Sequence, residues 1–486
     1  MGMAISRGLP AMTRTGLIAD RDRIPLVQKL AFSAGGSVDF FATGLMLGVM
    51  WMPYFNIGLG MSPAKLGMIL MVFQAWNAVL DPIMGNVSDN ARTRWGRRRP
   101  FLVVGALLTG IVSPWLWRPP VHWGETGMVI YLLAVGMVFY ACFSCWAMPY
   151  YGLQLELTPN YDERTRLTAW MTFFSKLTGL LGGWAMAIFA SPLFADPATG
   201  KPDIVHGMKT CSWFIGLLII IFGMLPALFV RERYYETETR NQKRDPFWRS
   251  IRESASCHPL WMLIGLSFFL VVGSYSVNSL GQYVNIYYVC RGDLAAASVI
   301  AGWKGTALVV TGILCIPLYT WLGERFDKKQ VIGFMLLITM FGHALNYFLM
   351  TPAMPYLQVI PGMFESCAIA AVWLFIPSMK ADVADYDEMG TERRREGALN
   401  AFFSWFIKAA LTCSMGLGGF VLNISGFDVK RAVEQPPEVL RSMLVLYVVL
   451  PLIVWACGLV FIWLYPLNRA RMGGIRSELE ARRGAL

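Results

Sequence analysis

The stretch ERTRLTAWMTFFS, from Glu163 to Ser175, occurs a second time in altered form as ERRREGALNAFFS, from Glu392 to Ser404. Both copies read E-R-x-R, then six residues, then F-F-S, so the second copy follows the first at an offset of 229 positions. A shorter pair lies one loop earlier in each half, where GNVSD at 85–89 matches GERFD at 323–327. Ordered repeats at a long spacing indicate a duplicated architecture. The chain is therefore predicted to consist of two similar halves.

The composition of the chain predicts that both halves lie in a membrane. The 486 residues are 56% hydrophobic and 15% charged, against about 25% charged residues in soluble domains. A helix needs about 20 apolar residues to cross a bilayer, and only helices or closed barrels satisfy their backbone groups there. The apolar runs show no alternation of period two, so they predict helices. The twelve predicted segments are 29–57, 66–88, 100–117, 127–158, 168–192, 210–230, 259–289, 297–322, 330–350, 355–378, 399–424 and 439–466.

The predicted fold is an all-α membrane protein with twelve transmembrane helices in two six-helix bundles. The N-terminal bundle is expected over residues 29–230 and the C-terminal bundle over residues 259–466. A strongly charged central loop, 231–258, divides them. An N-terminal segment at 1–28 and a tail at 467–486 flank the two bundles and are expected to be cytoplasmic.

The distribution of basic residues predicts the orientation. Of the 42 lysines and arginines, 30 lie in the N-terminal segment, the even-numbered loops and the tail. Positively charged loops stay in the cytoplasm, so both termini are expected on the cytoplasmic side of the cell (inner) membrane. The net charge of +11 follows from this bias, and no basic soluble face suggests binding to nucleic acid.

No sequence motif points to an enzyme. The chain has no HExxH, no GxSxG and no phosphate-binding loop, and its four histidines do not form a metal-ligand cluster. We therefore expect no cofactor and no metal, and a monomer surrounded by bilayer lipid.

Charged residues inside the apolar segments are the candidate functional groups, because a charge in lipid is costly unless it has a role or a partner. Asp39 lies about 15 Å into segment 1, near the membrane midplane, and has no charged neighbour along the chain. Asp81 and Lys408 lie in segments 2 and 11, and Lys304 and Glu365 lie in segments 8 and 10. The alternative interpretation is that these groups form interhelical salt bridges that hold the bundle together.

Three motifs carry a resemblance to a known family. DPIMG at 81–85 is followed by RTRWGRRRP at 92–100, and ADVADYDE occupies 381–388. Together with AMPYY at 147–151, they resemble the glycoside–pentoside–hexuronide:cation symporter family of the major facilitator superfamily, to which melibiose permease belongs. The resemblance covers both halves. It implies the major facilitator fold with a substrate site between the bundles, and cation-coupled symport of a sugar, glycoside or hexuronide by alternating access.

The resemblance also implies roles for individual residues at the substrate site. The carboxylate of Asp39 would bind sugar hydroxyls and Trp373 would line the sugar pocket, while Lys408 would lie between the sugar and the cation. Tyr150 and Tyr151 on segment 4 would add to the pocket. A carboxylate and an aromatic face suit a sugar, because the ring has both hydroxyl groups and an apolar face.

The cation site departs from the pattern that the family's sodium-coupled members show. They carry two segment 2 carboxylates one turn apart, whereas this chain has Asn77 and Asp81. Ala147 stands where segment 4 would supply another acid, and Thr172 stands near the position of a sugar-binding arginine in segment 5. A sodium ion requires several oxygen ligands and a net negative charge at its site, whereas a proton requires only one carboxylate whose pKa can change. We therefore expect H⁺ rather than Na⁺ as the coupling ion, with Asp81 as its carrier and Lys408 as the electrostatic partner.

Charged residues of the loops on the predicted cytoplasmic side form a predicted gate. Its members are Asp89, Arg97, Asp327, Asp382, Asp385 and Arg394. Ion pairs among them would join the halves when this side is shut and break when it opens. Topology alone explains the arginines but not the aspartates at repeat-related positions.

Two other functions are compatible with the sequence. An uncoupled sugar facilitator would keep Asp81 and Lys408 as a permanent structural pair. A transporter of lysolipids or other amphiphiles with the same superfold would be expected to have a more apolar central cavity and a lateral opening.

Overall fold

The computed structural model describes residues 23–157, 161–194, 203–231, 255–391, 396–428, 431 and 434–483. Within these ranges it contains twelve helices that are long and apolar enough to cross a membrane, which confirms the predicted number. All regular structure in the described residues is helical. The spanning helices, α1 to α12, are Leu26–Val49, Pro63–Ser88, Arg99–Trp117, Val121–Gln154, Arg166–Phe189, Ile204–Phe229, His258–Val289, Leu294–Leu314, Lys328–Leu349, Pro355–Thr391, Phe402–Ile424 and Pro437–Leu464.

Among the predicted limits that differ from the structure are those of segments 8 and 10. Segment 8 was expected to be continuous over 297–322, but α8 ends at Leu314 and a second short helix follows over Ile316–Arg325. Segment 10 was expected to end at 378, but α10 continues to Thr391 through the polar sequence ADVADYDE. Hydropathy cannot show this extension, because the added turns are polar and project beyond the apolar part of the helix.

Another helix, Arg469–Arg483 (α13), packs against the extended end of α10. Met472, Ile475 and Leu479 are buried on one face of α13. Their spacing of three and four residues places them on one helical stripe. The tail is therefore a docked amphipathic helix.

The duplication extends to the local structure at the ends of α1 and α7. A π-helical segment, Pro53–Gly58, follows α1, and α7 closes with another, Val284–Val289. In each, an asparagine side chain donates to a main-chain carbonyl further along the chain, at 2.6 Å from Asn56 and 2.7 Å from Asn285. These asparagines belong to a repeated Y-x-N-I sequence that has the same offset as the opening repeat.

The two halves meet through α2 with α11 and through α5 with α8. With twelve spans, the start of α1 and the end of α12 lie on one face of the molecule, here called the terminal face, and the other is the opposite face. Near the opposite face a Cβ on Gly419 would lie 2.2 Å from the carbonyl oxygen of Pro63. A Cβ on Gly183 would lie 3.3 Å from the Cα of Gly305. Close approach of the helix backbones, which small residues permit in membranes, therefore closes this side of the interface.

On the same side, a hydrogen bond joins the π-helical segment that follows α1 to α7, the first helix of the other half. The hydroxyl of Tyr283, in α7, donates to Oδ1 of Asn56 at 2.6 Å, and both side chains are fully buried. Four contacts between fully described residues join the halves by a hydrogen bond or an ion pair. Of these, the Asp81–Lys408 pair lies nearest the terminal face. The molecule is thus closed at its opposite face.

Glu163, the first residue of the opening repeat, fixes the start of α1. Its buried carboxylate accepts from the main-chain N–H of Ile24 at 2.9 Å and pairs with Nζ of Lys29 at 2.5 Å. Burial alone would raise the pKa of Glu163, but these hydrogen bonds and the charges of Lys29 and Arg166 hold it below its usual value. The corresponding Glu392 lies outside the described residues.

Candidate functional site

Asp39 lies in the middle of α1, where the helix widens into π-helical turns over Phe40–Val49. Thr43 donates its hydroxyl to the main-chain oxygen of Asp39 at 2.7 Å, and the same hydroxyl lies 3.3 Å from Oδ1. The hydroxyl of Tyr151, in α4, lies near the carboxylate. In the described part of the chain no lysine or arginine forms an ion pair with Asp39, so its charge is available to a ligand.

Tyr151 and Tyr275 show that a cavity adjoins Asp39. Both lie deep between the helices, yet they expose 38% and 42% of their surface. Tyr275 belongs to α7, in the other half, and lies within electrostatic reach of the Asp39 carboxylate. Since the opposite face is closed, this space between the halves has no opening on that side. Sequence reasoning missed Tyr275, because α7 carries no charged residue that would single out its polar face.

The assignment of Tyr150 to the substrate pocket is corrected by the structure. Tyr150 is 1% exposed and is stacked between Phe32 and Trp146, at ring distances of 4.4 and 4.7 Å. Its hydroxyl donates to the main-chain oxygen of Phe32 at 2.9 Å. Neighbouring residues on a helix point about 100° apart, so Tyr150 packs against α1 while Tyr151 faces the cavity.

Trp373 is not brought into contact with Asp39. It lies in a π-helical stretch of α10, Ala371–Phe375, and exposes 68% of its surface. No hydrogen bond or ring contact joins it to Asp39 among the described residues. Its place in a sugar pocket stays a prediction.

Asp81 and Lys408 form an ion pair that crosses from one half of the molecule to the other. Asp81, in α2, is 6% exposed, and its Oδ2 meets Nζ of Lys408 from α11. The lysine side chain is 27% exposed, which leaves it open to the space between the halves. The contact between these residues is thus as predicted, but its role in coupling is not tested by the geometry.

Ser144 completes the polar group around Asp81. Its Oγ lies 2.7 Å from Oδ1 of Asp81 and 2.8 Å from Oδ1 of Asn77. Sequence reasoning missed Ser144. This serine lies one helical turn before Ala147, which occupies the position of the expected acid. A polar residue three positions from the expected acid was the available signal.

The group Asn77, Asp81, Ser144 and Lys408, here called the interface cluster, can satisfy Asp81 in two protonation states. An ionised Asp81 accepts from Lys408 and Ser144, as the structure shows. A protonated Asp81 would donate to Oγ of Ser144, whose own hydroxyl would then donate to Oδ1 of Asn77. A hydroxyl both donates and accepts, so the serine supports either state.

A second group of charges lies entirely within the C-terminal half. Nζ of Lys304, in α8, lies 3.3 Å from Oε2 of Glu365 in α10 and donates to the hydroxyl of Tyr447 in α12 at 3.0 Å. Nδ1 of His343, in α9, lies 3.0 Å from Oε1 of Glu365. We call these residues, with Asn346, the intra-half cluster. For Lys304 and Glu365, the salt-bridge alternative is what the structure shows.

Lys176 is a third basic side chain within the spans. In α5, its Nζ lies 3.7 Å from where a Cβ on Gly312 of α8 would be, so it is directed across the interface between the halves. In the described part of the chain it forms no ion pair. It therefore presents a positive charge between α5 and α8.

The predicted gate residues on the terminal face do not join the halves through any described contact. Asp382 is buried and pairs with Nζ of Lys328 at 2.5 Å, and Asp327 accepts from the main-chain N–H of Arg469 at 2.9 Å. Both contacts lie within the C-terminal half. Arg97 is buried and Asp385 is half-buried. Arg394 and the side chain of Asp89 lie outside the described residues, so the gate stays a prediction.

Comparison with known proteins gives one family and one fold. The model of a family described as MFS/sugar transport protein matches residues 32–469. The chain is 23% identical to a glucuronide carrier protein homolog of Escherichia coli (strain K12), over 93% of this chain and 95% of that protein. It is also 23% identical to sodium-dependent lysophosphatidylcholine symporter 1-B of Danio rerio, over 95% of this chain and 91% of the relative.

A solved structure has the same fold. It is a bacterial homologue of the human lysosomal transporter Spinster in an inward-facing, unoccupied conformation. Its TM-score is 0.60 at 14% identity, and the match covers 90% of this chain and 95% of that one.

Proposed function

The chain belongs to the MFS/sugar transport protein family, and on this premise we propose that it carries a sugar, glycoside or hexuronide in symport with a proton. The family consists of membrane transporters, so the protein is not an enzyme. The observation that carries the proposal is the ion pair between Asp81 and Lys408, which joins the two halves beside a cavity that contains a second, unpaired carboxylate, Asp39.

The terminal face is assigned to the cytoplasm, because the basic loops and tails lie on that side. With the opposite face closed, the proposed conformation is inward-facing, and the cavity beside Asp39 would be reached from the cytoplasm. Rocking of one half against the other would open the opposite face and separate Gly183 from Gly305. The protein is expected to act as a monomer in the cell (inner) membrane.

Coupling would follow from competition for Asp81. While Lys408 contacts the carboxylate, the positive charge favours the ionised form. When Lys408 moves away, or a substrate engages it, the buried carboxylate takes up a proton and donates to Ser144. Because the pair joins the two halves, protonation of Asp81 is linked to their separation.

The interface cluster supports a proton over a sodium ion. It has a single carboxylate, and the ammonium group of Lys408 occupies Oδ2, an oxygen that a sodium ion would need. The relative from Danio rerio is named as sodium-dependent, so a test of the coupling ion must include a sodium gradient as well as a pH gradient.

The charges in the cavity support an acidic sugar as the substrate. Asp39 and Tyr151 offer an acceptor and a hydroxyl for sugar hydroxyl groups. Lys176 offers a cation for a carboxylate, since it is directed across the interface between α5 and α8. A hexuronide carries both kinds of group.

The test is uptake into proteoliposomes with an imposed pH gradient or an imposed sodium gradient. Labelled hexuronide, neutral glycoside and lysophosphatidylcholine are offered in parallel, with Asp81→Asn as the matched variant. We expect the hexuronide to accumulate under the pH gradient alone, and Asp81→Asn to equilibrate it without accumulation. Accumulation driven only by the sodium gradient would overturn the proposal that a proton is the coupling ion. If the wild type only equilibrates the substrate under both gradients, the protein is an uncoupled facilitator.

Transport of a lysolipid is the second candidate, and the relative named as a lysophosphatidylcholine symporter favours it. Its zwitterionic head group would also meet Asp39 and Lys176. Uptake of lysophosphatidylcholine without uptake of either sugar would establish this candidate and exclude the first.

A further inference from the structure

The intra-half cluster contains a fully buried histidine and titratable partners from three other helices. His343, in α9, is 0% exposed, and its ring packs against Tyr447 and Trp455 of α12 at 5.0 and 5.3 Å. The titratable or charged groups that face it are Glu365 from α10, Lys304 from α8 by way of Glu365, and Tyr447 from α12. None of these residues belongs to the interface cluster.

The hydrogen on Nε2 of His343 is fixed by a proline. Nε2 lies 3.0 Å from the main-chain oxygen of Tyr447. In a helix this oxygen would accept from the N–H of the residue four positions on, but that residue is Pro451, which has no N–H. A carbonyl oxygen can only accept, so Nε2 carries a hydrogen and supplies the missing donor.

The other ring nitrogen then faces an acceptor. Nδ1 lies 3.0 Å from Oε1 of Glu365, and without a further hydrogen two lone pairs would oppose each other at hydrogen-bond distance. Asn346 does not remove the conflict. One hydrogen of its amide goes to the main-chain oxygen of His343 at 3.0 Å. The amide nitrogen is 3.3 Å from Nδ1 and 3.4 Å from Oε1, so its second hydrogen cannot serve both atoms well.

We infer that His343 and Glu365 form a proton-binding site in the C-terminal half, separate from Asp81, which holds one proton between Nδ1 and Oε1. The proton resides either on the imidazole, with an ionised Glu365, or on the carboxyl group, with a neutral imidazole. In both cases a single hydrogen joins the two atoms. The positive charge that this adds to the cluster is shared with Lys304, whose side chain is 21% exposed and reaches the space between the helices.

This proton stays bound when the halves move. All four helices that form the site, α8, α9, α10 and α12, belong to the same half, so rocking of the halves does not separate its groups. Lys304 also keeps its contact with Tyr447 within that half. The inference concerns binding of a proton and does not depend on the identity of the transported substrate.

The test uses the full chain with His343 as its only histidine. The other three, His122, His206 and His258, are exposed and are replaced by glutamine. Nitrogen-15 NMR of histidine-labelled protein at neutral pH reports which ring nitrogens carry hydrogen, and infrared difference spectra report a protonated carboxyl group. We expect either two protonated nitrogens or a carboxylic acid band that Glu365→Gln removes.

Glu365→Gln is the matched variant. Its amide can donate to Nδ1, so no extra proton is required, and the imidazole of this variant should be neutral with a hydrogen on Nε2 alone. If the variant fails to fold, His343→Gln serves instead, and its infrared spectrum should lack the carboxylic acid band. A wild-type spectrum with a bare Nδ1 and no protonated Glu365 would overturn the inference.

Discussion

The two charge clusters are built from similar groups but stand in different relations to the halves. In the interface cluster, α2 supplies Asp81 and α11 supplies Lys408, so the ion pair must lengthen when the halves separate. In the intra-half cluster, Lys304 and Glu365 come from neighbouring helices of one half. Buried ion pairs contribute little net stability when complete, but are costly to break. Only a pair that the motion itself breaks can therefore link protonation to movement.

The largest effect should follow from breaking the interface pair on its acidic side. Asp81→Asn removes the carboxylate that carries the proton, and uptake against a gradient should fall to the equilibrium level. Exchange of substrate across the membrane should continue. Measuring both in the same proteoliposomes checks this, and concentrative uptake by the variant would show that Asp81 is not the carrier.

Breaking the intra-half pair should affect stability instead. Lys304→Met leaves Glu365 without its ammonium partner, and loss of one member of a buried pair costs about 3–5 kcal/mol. Thermal unfolding in detergent should show the loss, while protein that remains folded should reach the wild-type ratio of accumulation. If this variant has normal stability but does not accumulate substrate, coupling depends on the intra-half cluster and the assignment to the interface cluster is contradicted.

Asp39 belongs to neither cluster, and its unpaired carboxylate should bind the substrate. Asp39→Asn should weaken binding by about 10- to 100-fold, because a hydrogen bond to a charged group contributes about 1.5–3 kcal/mol. Thr43→Val is the matched control, since it removes only a donor to Asp39. A direct binding assay that gives unchanged affinity for Asp39→Asn would remove the residue from the site.

The smallest effect is expected at the glycine contacts that close the opposite face. Gly305→Ala places a methyl group 3.0 Å from the Cα of Gly183, which is tight enough to push α5 and α8 apart. Distances between spin labels at the ends of these helices should shift toward a conformation that is open at that face. The equivalent change at Gly473, where a Cβ would meet nothing, should leave the distances unchanged.

The sequence predicted the fold well because its signals are strong and local. The twelve apolar runs and the basic loops follow from the bilayer, and the E-R-x-R repeat follows from the duplication. The structure confirms the number of spans. The limits of α8 and α10 were wrong, since a break at Cys315 and a polar extension leave no trace in hydropathy.

The sites were less predictable, because they depend on which helix faces are opposed. The pairing of Asp81 with Lys408 was predicted from their charges together with the family resemblance. Tyr150 and Tyr151 could not be told apart without the rotation of α4, and Ser144 is a common residue in any membrane helix. The role of His343 depends on Pro451, more than a hundred positions away, which frees the carbonyl oxygen that fixes its tautomer.

The measurement that tests the distinction between the clusters most directly is proton movement during transport. Proteoliposomes that contain wild type, Asp81→Asn or His343→Gln are given substrate without an imposed gradient, and the pH change inside is followed with a trapped dye. Substrate should bring protons inside with the wild type and with His343→Gln, and none with Asp81→Asn. Continued proton entry with Asp81→Asn, or its loss with His343→Gln alone, would contradict the assignment of coupling to the interface cluster.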